Sequence, residues 1–287
     1  MDRLDAHCHF WQPARGDYGW LDTGGPELDP LRHEFLPSEL ASLNGGRRVI
    51  AVQAAPSEAE THFLLGLAQT VRQIAGVVGW VDLTQAEAGE RLAALARNPR
   101  FKGVRPMLQD IADADWIDTE PAPEAVVALV RLGLRFDALV KTQHLPALQR
   151  FCARYPELAV VIDHAAKPDL LNGISQTWHR DMALLAADGN VHCKLSGLVT
   201  EMCPSRLLSV GLAVETLKPV LGRLLEWFGP QRLMWGSDWP VVTLAVSHRF
   251  WEEVTERLLD HLSADDRAEI LGGTAVRFYG LEEAADA

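Results

Sequence analysis

The feature that most constrains the fold of this chain is a regular alternation of short apolar runs with longer amphipathic stretches. Short apolar runs are typical of buried β-strands, whereas apolar residues at every third or fourth position are typical of α-helices that pack by one face. The strand-like runs are residues 4–10, 49–54, 76–81, 101–107, 135–140, 159–163, 191–195 and 232–236. The helix-like stretches are residues 58–74, 86–97, 122–132, 145–155, 177–187, 214–228 and 247–262.

This alternation predicts a parallel sheet whose strands are joined by helices. The apolar runs are rich in Val, Ile and Leu, as expected of parallel strands that are covered on both faces. A length of 287 residues suits a barrel of eight strands and eight helices in one domain. A doubly wound open sheet is the alternative, but no G-x-G-x-x-G turn follows the first strand. We therefore predict an α/β fold, a (β/α)8 TIM barrel that occupies residues 1–287 as a single domain.

The charge balance limits the partners that we expect. The net charge is −12 and the isoelectric point is near 5.3, whereas nucleic acids and anionic membranes attract basic surfaces. The four cysteines are scattered without a C-x-x-C pair, which is typical of reduced thiols in a cytosolic protein. No apolar run suits a signal peptide or a membrane span. The expectation is a cytoplasmic protein that acts on a small molecule, without a nucleic-acid or membrane partner.

Polar side chains stand at the predicted C-terminal ends of the strands, where barrel enzymes place their chemistry. His7 and His9 end the first strand, His164 follows the sixth, and Asp238 follows the eighth. Residues two apart on a strand point to the same side, so both first-strand imidazoles can reach one metal ion. Further polar residues at strand ends are Gln53, Arg105, Lys141, His144, Asp163, Lys167, Lys194 and Ser196. The pattern predicts a catalytic or metal-binding mouth.

Each of these residues also has a purely structural interpretation. A His-x-His pair can be a packed, hydrogen-bonded part of the core, and Asp163 or Asp238 can cap a turn through backbone N–H groups. Arg105 and Lys194 can pair with carboxylates inside the mouth. The arrival of His164 and Asp238 at the same end of the barrel as the first-strand pair favours a functional site.

The long segment of residues 12–39 is a Gly- and Pro-containing excursion after the first strand. In a barrel it lies over the active-site mouth, with Tyr18 and Trp20 available to line a pocket. Cys8 is interpreted as a core residue, because alternation along a strand turns it away from both histidines. The histidines interpreted as surface or core residues are His33, His62, His179, His192, His248 and His261.

Four sequence blocks resemble a known family. They are "DAHCHFWQPARGDYGWL", "VIDHAAKP", "CKLSGLVTE" and "RLMWGSDWPV", and they are similar to the amidohydrolase superfamily, more narrowly to its sugar-lactonase branch of L-fuconolactonase- and L-rhamnonolactonase-like proteins. The resemblance covers residues 4 to about 279, and the blocks occur in the family's order.

The resemblance implies a distorted (β/α)8 barrel in which His7, His9, His164 and Asp238 form the catalytic constellation and the ligands of a metal ion. Members with two metal ions carry a carbamylated lysine at the end of strand four. Here that strand ends with Arg105, and Lys102 lies near its start. The resemblance therefore implies one divalent ion, with Zn²⁺ favoured, or a metal-independent reaction.

The resulting hypothesis is hydrolysis of a sugar lactone, an L-fucono-1,5-lactone-like compound, to its aldonic acid by a monomer or homodimer. Asp238 is the expected general base, with the developing oxyanion stabilised by a metal ion or by positive donors. The expected catalytic residues are Asp238, His164 and Lys194. The expected substrate contacts are Trp11, Gln53, Trp80, Arg105, His144 and Lys167, with Glu201 as a further candidate.

Three alternatives remain open at this stage. A Zn²⁺-dependent decarboxylase of the same superfamily uses a similar set of histidines and an aspartate on an unsaturated acid. A lactone isomerase uses the same general base to move an acyl group between hydroxyls. A sugar- or metal-binding barrel without turnover is the non-enzyme alternative.

Overall fold

The strands of the protein form one parallel sheet that curls into a nearly closed barrel. A computed structural model describes residues 3–281. Each strand pairs in parallel with the next along the chain, in the order β1 to β8. The strands are β1 Leu4–Cys8, β2 Arg48–Val52, β3 Ile74–Gly79, β4 Phe101–Val104, β5 Arg135–Ala138, β6 Val160–Ile162, β7 Val191–Leu195 and β8 Leu233–Trp235. Every predicted run overlaps one strand, and the predicted TIM barrel is confirmed.

Helices follow the strands around the outside of the barrel. The α-helices within residues 3–281 are α1 Gly19–Thr23, α2 Pro37–Asn44, α3 Glu58–Thr70, α4 Ala88–Leu95, α5 Trp116–Thr119, α6 Pro123–Arg131, α7 Leu145–Arg154, α8 Gln176–Ala186, α9 Val210–Phe228, α10 His248–Leu258, α11 Ala264–Ala268 and α12 Thr274–Phe278. In this part of the chain, no helix has the length and apolarity needed to cross a bilayer.

Three predicted helices differ from the structure by four residues at one end, among them 247–262, which ends at Leu258. The stretch 58–74 was too long, because Val71 adopts an extended conformation that ends α3 and the chain then enters β3 at Ile74. The stretch 214–228 was too short at its start. The hydroxyl of Ser209 accepts the backbone N–H of Leu212, and this cap starts α9 at Val210.

The apolar core has two layers. One layer lies between strands and helices and contains Cys8, so the interpretation of Cys8 as a core residue agrees with the structure. The other fills the barrel itself, where Phe278 and Tyr279 from the C-terminal end of the described chain pack with Leu4 and Val78. The last helix thus closes the barrel on the side opposite the mouth.

The first and last strands meet along a short seam. Their contact is an isolated parallel bridge between Cys8 and Trp239. The backbone N–H of His9 donates to the Trp239 carbonyl at 2.7 Å, and that of Asp238 donates to the His7 carbonyl at 2.8 Å. This seam therefore brings His7 of β1 and His9, which directly follows β1, next to the predicted general base.

His192 makes stability sensitive to acid. Its ring lies 4.7 Å from that of Phe278, and its Nδ1 has no hydrogen-bond partner among residues 3–281. Burial lowers the pKa of His192 to about 4, below the ordinary histidine value of about 6.5. The unfolded chain therefore binds a proton at a higher pH than the folded chain does. The contribution of this group to the free energy of unfolding is therefore fully present above pH ~6.5 and falls as the pH drops toward 4.

We expect His192→Gln to flatten this part of the pH dependence. Between pH 7.5 and 4.5, the free energy of unfolding of the wild type should fall by about 2 kcal/mol more than that of the variant. Urea unfolding at both pH values measures the difference, and the exposed His261→Gln is the control for loss of an imidazole. Equal pH dependence in wild type and His192→Gln would contradict the assignment.

Candidate active site

Two first-strand histidines converge at the mouth of the barrel. The Nε2 atoms of His7 and His9 lie 3.2 Å apart, and both side chains are buried. The Nδ1 of His9 is 2.8 Å from the carbonyl oxygen of Val52. A carbonyl only accepts, so Nδ1 carries the proton and Nε2 of His9 presents its lone pair to the site.

The Asp238 carboxylate lies among three imidazoles. Its Oδ1 is 3.3 Å from Nε2 of His9, 3.7 Å from Nε2 of His7 and 4.0 Å from Nε2 of His164. Asp238 has a left-handed backbone with φ of +57°, which is uncommon outside glycine. The aspartate is thus turned inward at the seam, and the sequence-predicted His7, His9, His164 and Asp238 come together as one cluster.

His164 belongs to a left-handed turn of four consecutive residues, 164–167, with φ between 48° and 58°. For residues with a Cβ such a conformation costs about 1–2 kcal/mol each, so the surrounding structure must hold it in place. The His164 Nδ1 lies 2.9 Å from the hydroxyl oxygen of Ser196. Gly197 passes so close that a Cβ there would lie 2.4 Å from that Nδ1. Clustered strain of this kind is typical of active sites.

The electrostatics favour an ionised carboxylate among neutral imidazoles. Burial alone raises the pKa of a carboxyl, but the surrounding histidines outweigh it and hold the pKa of Asp238 below its ordinary value. Burial lowers the pKa of His164 to about 4. Burial, together with the Lys194 charge, lowers the pKa of His7. Near neutral pH, His7 and His164 therefore offer lone pairs and Asp238 one negative charge.

This donor set fits a divalent metal ion. One ligand atom from each of His7, His164 and Asp238 lies within 4.8 Å of the others, and neutral imidazoles with a carboxylate are ordinary Zn²⁺ ligands. The fourth predicted ligand, His9, contacts the same carboxylate oxygen. The coarser prediction of a divalent-metal site therefore agrees with the chemistry of the cluster.

A buried network of charged side chains lies next to His7 and contacts its Nδ1. Lys194 is fully buried, and its Nζ lies 2.5 Å from Asp137, 3.0 Å from Asp163 and 3.2 Å from Nδ1 of His7. Tyr279 donates its hydroxyl to Asp137 at 2.8 Å. Burial lowers the pKa of a lysine, but the two carboxylates outweigh it and raise the pKa of Lys194. Lys194 is a charged, structural neighbour of His7.

Next to the cluster lies a cavity of about 180 Å³. Its described lining consists of His9, Trp11, Trp20, Ala54, Arg105, Met107, Gln109, Asp110, Leu139, His164, Lys167, Thr200, Asp238 and Val241. The rings of Trp11 and Trp20 meet edge to face, with centroids 5.6 Å apart. Trp20 comes from the excursion 12–39, which therefore covers the mouth as predicted.

Some predicted contact residues line the cavity, and others lie outside its described lining. Trp11, Arg105 and Lys167 line it, and Lys167 also lies 3.5 Å from Glu201. The residues whose side chains are absent from its described lining are Gln53, Trp80, His144, Lys194 and Glu201.

Several of these residues have hydrogen-bond partners outside the cavity. The buried Gln53 amide donates to the Arg105 carbonyl at 2.5 Å. The His144 ring accepts the Lys141 backbone N–H at 2.9 Å. The backbone of Trp80 is tied to the Thr61 hydroxyl. Lys194, which is expected to act in catalysis, pairs instead with Asp137 and Asp163 beside His7, so its catalytic role stays a prediction.

Sequence reasoning missed other residues of the site. Asp137 and Tyr279 belong to the charge network, and Gln109 and Asp110 line the cavity. A charged residue inside the apolar run 135–140 was the available signal for Asp137. Gln109 carried no pattern in the sequence, yet its buried Oε1 has no hydrogen-bond partner within residues 3–281, so it is available to a ligand.

Comparison with known proteins places the chain in a family. The family model described as amidohydrolase matches residues 4–281. The chain belongs to the amidohydrolase family. The predicted resemblance is therefore confirmed for the described barrel.

Relatives of this amidohydrolase are similar over their whole length. An L-fucono-1,5-lactonase from Burkholderia ambifaria is 46% identical, over 98% of this chain and 96% of the relative. An L-fucono-1,5-lactonase from Burkholderia multivorans is 40% identical, over 99% and 98% respectively. A crystal structure of an amidohydrolase from Burkholderia multivorans with bound zinc has a TM-score of 0.89 and 38% identity, and the match covers 98% of this chain and all of that one.

In this amidohydrolase, Arg105 stands at the end of β4. In family members with two metal ions, a lysine is expected there. The Arg105 guanidinium lies 3.6 Å from Asp163 and 3.5 Å from Nε2 of His7. Lys102 instead donates to the Gly280 carbonyl at 3.1 Å, on the opposite side of the barrel. The arrangement is consistent with the prediction of at most one metal ion.

Proposed function

We propose that this amidohydrolase hydrolyses a sugar lactone, an L-fucono-1,5-lactone-like compound, to the corresponding aldonic acid. The observation that carries the proposal is an ionised carboxylate held among three imidazoles beside a small, mixed polar and aromatic cavity. The L-fucono-1,5-lactonases that resemble the whole chain support the choice of substrate.

Asp238 is the proposed general base. Its carboxylate removes a proton from a water molecule as the water oxygen forms a bond to the lactone carbonyl carbon. The bond between that carbon and the ring oxygen then breaks, and Asp238 returns the proton to the departing oxygen. The new carboxylic acid ionises, so each turnover releases one proton to solution. The positive guanidinium of Arg105, which lines the cavity, stabilises negative charge on the carbonyl oxygen.

His7, His164 and Asp238 would hold a divalent ion, with Zn²⁺ as the proposed occupant, and His9, which follows β1, would face it beside Asp238. Such an ion, when bound, polarises a substrate carbonyl as a Lewis acid. The hydrogen bond from Nδ1 of His9 to Val52 and the contact of the His164 Nδ1 with Ser196 keep both rings oriented.

The cavity suits one sugar ring. Its volume of about 180 Å³ lies below the range of about 300–1,000 Å³ typical of sites for drug-sized ligands. Arg105, Gln109 and Lys167 offer hydrogen-bonding groups to ring hydroxyls, and Trp11 and Trp20 offer apolar faces. The apolar lining also suits the methyl group of a 6-deoxy sugar.

A lactone panel tests the proposal. We expect indicator-detected acid release to be fastest with L-fucono-1,5-lactone, slower with L-rhamnono- and D-galactono-lactones, and reduced by chelation of the proposed divalent ion. Added Zn²⁺ or Mn²⁺ should then restore the rate. Lactone migration seen by NMR without acid release would indicate an isomerase, and CO₂ release from an unsaturated acid a decarboxylase. Binding without turnover under all conditions would overturn the enzymatic proposal.

A further inference from the structure

Glu60 is a buried carboxylate that the proposed mechanism does not use. It lies in the first turn of α3 and is fully buried. Its Oε1 accepts the Ala54 N–H at 3.0 Å, and its Oε2 accepts the N–H groups of Ala54 at 3.0 Å and Ala55 at 2.7 Å. Among residues 3–281 it forms no ion pair. Its negative charge is thus held mainly by backbone N–H groups of the turn after β2.

That turn forms part of the substrate cavity. Ala54 lines the cavity, and its carbonyl accepts the indole N–H of Trp20 at 2.8 Å. Trp20 lines the same cavity and packs edge to face with Trp11. A continuous chain of contacts therefore runs from Glu60 through Ala54 to the aromatic wall.

The same helix end also holds the segment that carries Trp20. Arg15 donates to the Ala59 carbonyl at 3.1 Å and lies 4.5 Å above the Phe63 ring. Asp17 pairs with Arg15 at 2.6 Å and lies 3.5 Å from the Ser57 hydroxyl. The excursion over the mouth is thus attached to the first turn of α3 on both sides of Glu60.

We propose that Glu60 is a positioning residue which, through Ala54, sets the place of the Trp20 wall, and that substrate affinity weakens when the Glu60 carboxylate is neutralised. The proposal deepens the proposed lactonase function and rests on it for its substrate. Glu60 does not touch the reacting atoms, so its effect falls on KM more than on kcat.

The charges around Glu60 place this change in an accessible pH range. Burial raises the pKa of Glu60 to about 7, while the Ala54 and Ala55 N–H groups and the Arg105 charge oppose that rise and the Asp17 charge adds to it. Tyr18 also faces Glu60. Burial, with the Glu60 charge, raises the pKa of Tyr18 above its ordinary value, so Tyr18 stays neutral in the range tested. A protonated carboxyl turns one acceptor oxygen into a donor that faces N–H groups. The hydrogen bonds from Ala54 and Ala55 to the Glu60 carboxylate are therefore kept above neutral pH and weakened below it.

Kinetics of Glu60→Gln test the proposal, with Glu58→Gln as the matched control. Glu58 lies in the same helical turn but pairs with Arg91 at the surface. For L-fucono-1,5-lactone we expect wild-type KM to rise about tenfold from pH 8 to pH 5.5, and Glu60→Gln to show the high KM at both pH values. The kcat of Glu60→Gln should change by less than about threefold. Glu58→Gln should follow the wild type.

A second variant tests whether the effect passes through Trp20. Trp20→Phe removes the indole N–H, so we expect a raised KM that no longer depends on Glu60. The KM of the Glu60→Gln/Trp20→Phe double variant should match that of Trp20→Phe alone. Full additivity of the two effects, or a Glu60→Gln variant with wild-type KM at every pH, would overturn the proposal.

The experiment separates two kinds of failure. A wild-type protein without acid release from any lactone contradicts the proposed function itself. An active wild type whose KM is constant from pH 5.5 to 8 contradicts only the role of Glu60. The latter measurement needs no variant, so it decides the question even if Glu60→Gln does not fold.

Discussion

Replacing Asp238 with asparagine should lower kcat for lactone hydrolysis by at least about a hundredfold. The amide has nearly the shape of the carboxylate, but it cannot take the proton of the attacking water. It also removes the negative charge at 3.3–4.0 Å from three imidazoles. Steady-state rates with L-fucono-1,5-lactone measure the effect, and circular dichroism checks that the barrel is intact.

Asp110→Asn provides the matched control for this variant. Asp110 also lines the cavity, and among residues 3–281 it forms no ion pair with a site histidine. Its loss is expected to change KM more than kcat. Wild-type turnover by Asp238→Asn would refute the general-base assignment, whatever the effect at Asp110.

Replacing Lys194 with methionine should cost about 3–5 kcal/mol of unfolding free energy. The methionine fills much of the same space, but it leaves the buried carboxylates of Asp137 and Asp163 without the cation that now lies 2.5 and 3.0 Å from them. Urea unfolding at neutral pH measures the loss. The exposed Lys218→Met on α9 is the control and should change stability by less than about 0.5 kcal/mol.

A further variant separates charge from packing at Lys194. Lys194→Met combined with Asp137→Asn removes one of the two carboxylate charges that Lys194 pairs with, so it should recover part of the lost stability. If Lys194→Met alone cost less than about 1 kcal/mol, the network would not have the stabilising role described here.

The sequence predicted the parts of the molecule that depend on local pattern. All eight strands were found, because buried parallel strands are continuous apolar runs bounded by polar residues. The cluster of His7, His9, His164 and Asp238 was also predicted, because the C-terminal ends of parallel strands meet at one end of a barrel. The barrel fold brings these four residues, which are far apart in the sequence, next to one another.

The direction of individual side chains could not be predicted in the same way. Trp80 and Gln53 stand at strand ends but are absent from the cavity lining. The Gln53 amide instead donates to the Arg105 carbonyl. Glu60 looks like an ordinary acidic residue in the first turn of a helix. It is buried because the turn after β2 folds over it. No pattern of apolar residues in the sequence indicates that contact.

The seam between β1 and β8 has a consequence for how the protein is made. His7 and His9 emerge from the ribosome with the first strand, and Asp238 follows only after about four-fifths of the chain has been synthesised. The hydrogen bonds that seat Asp238 beside the histidines are the same ones that join the two strands. Completion of the circle and completion of the catalytic cluster are therefore one event. A barrel left open at that junction would hold its histidines without the proposed base, so under the proposed mechanism a partly made chain would not hydrolyse the lactone.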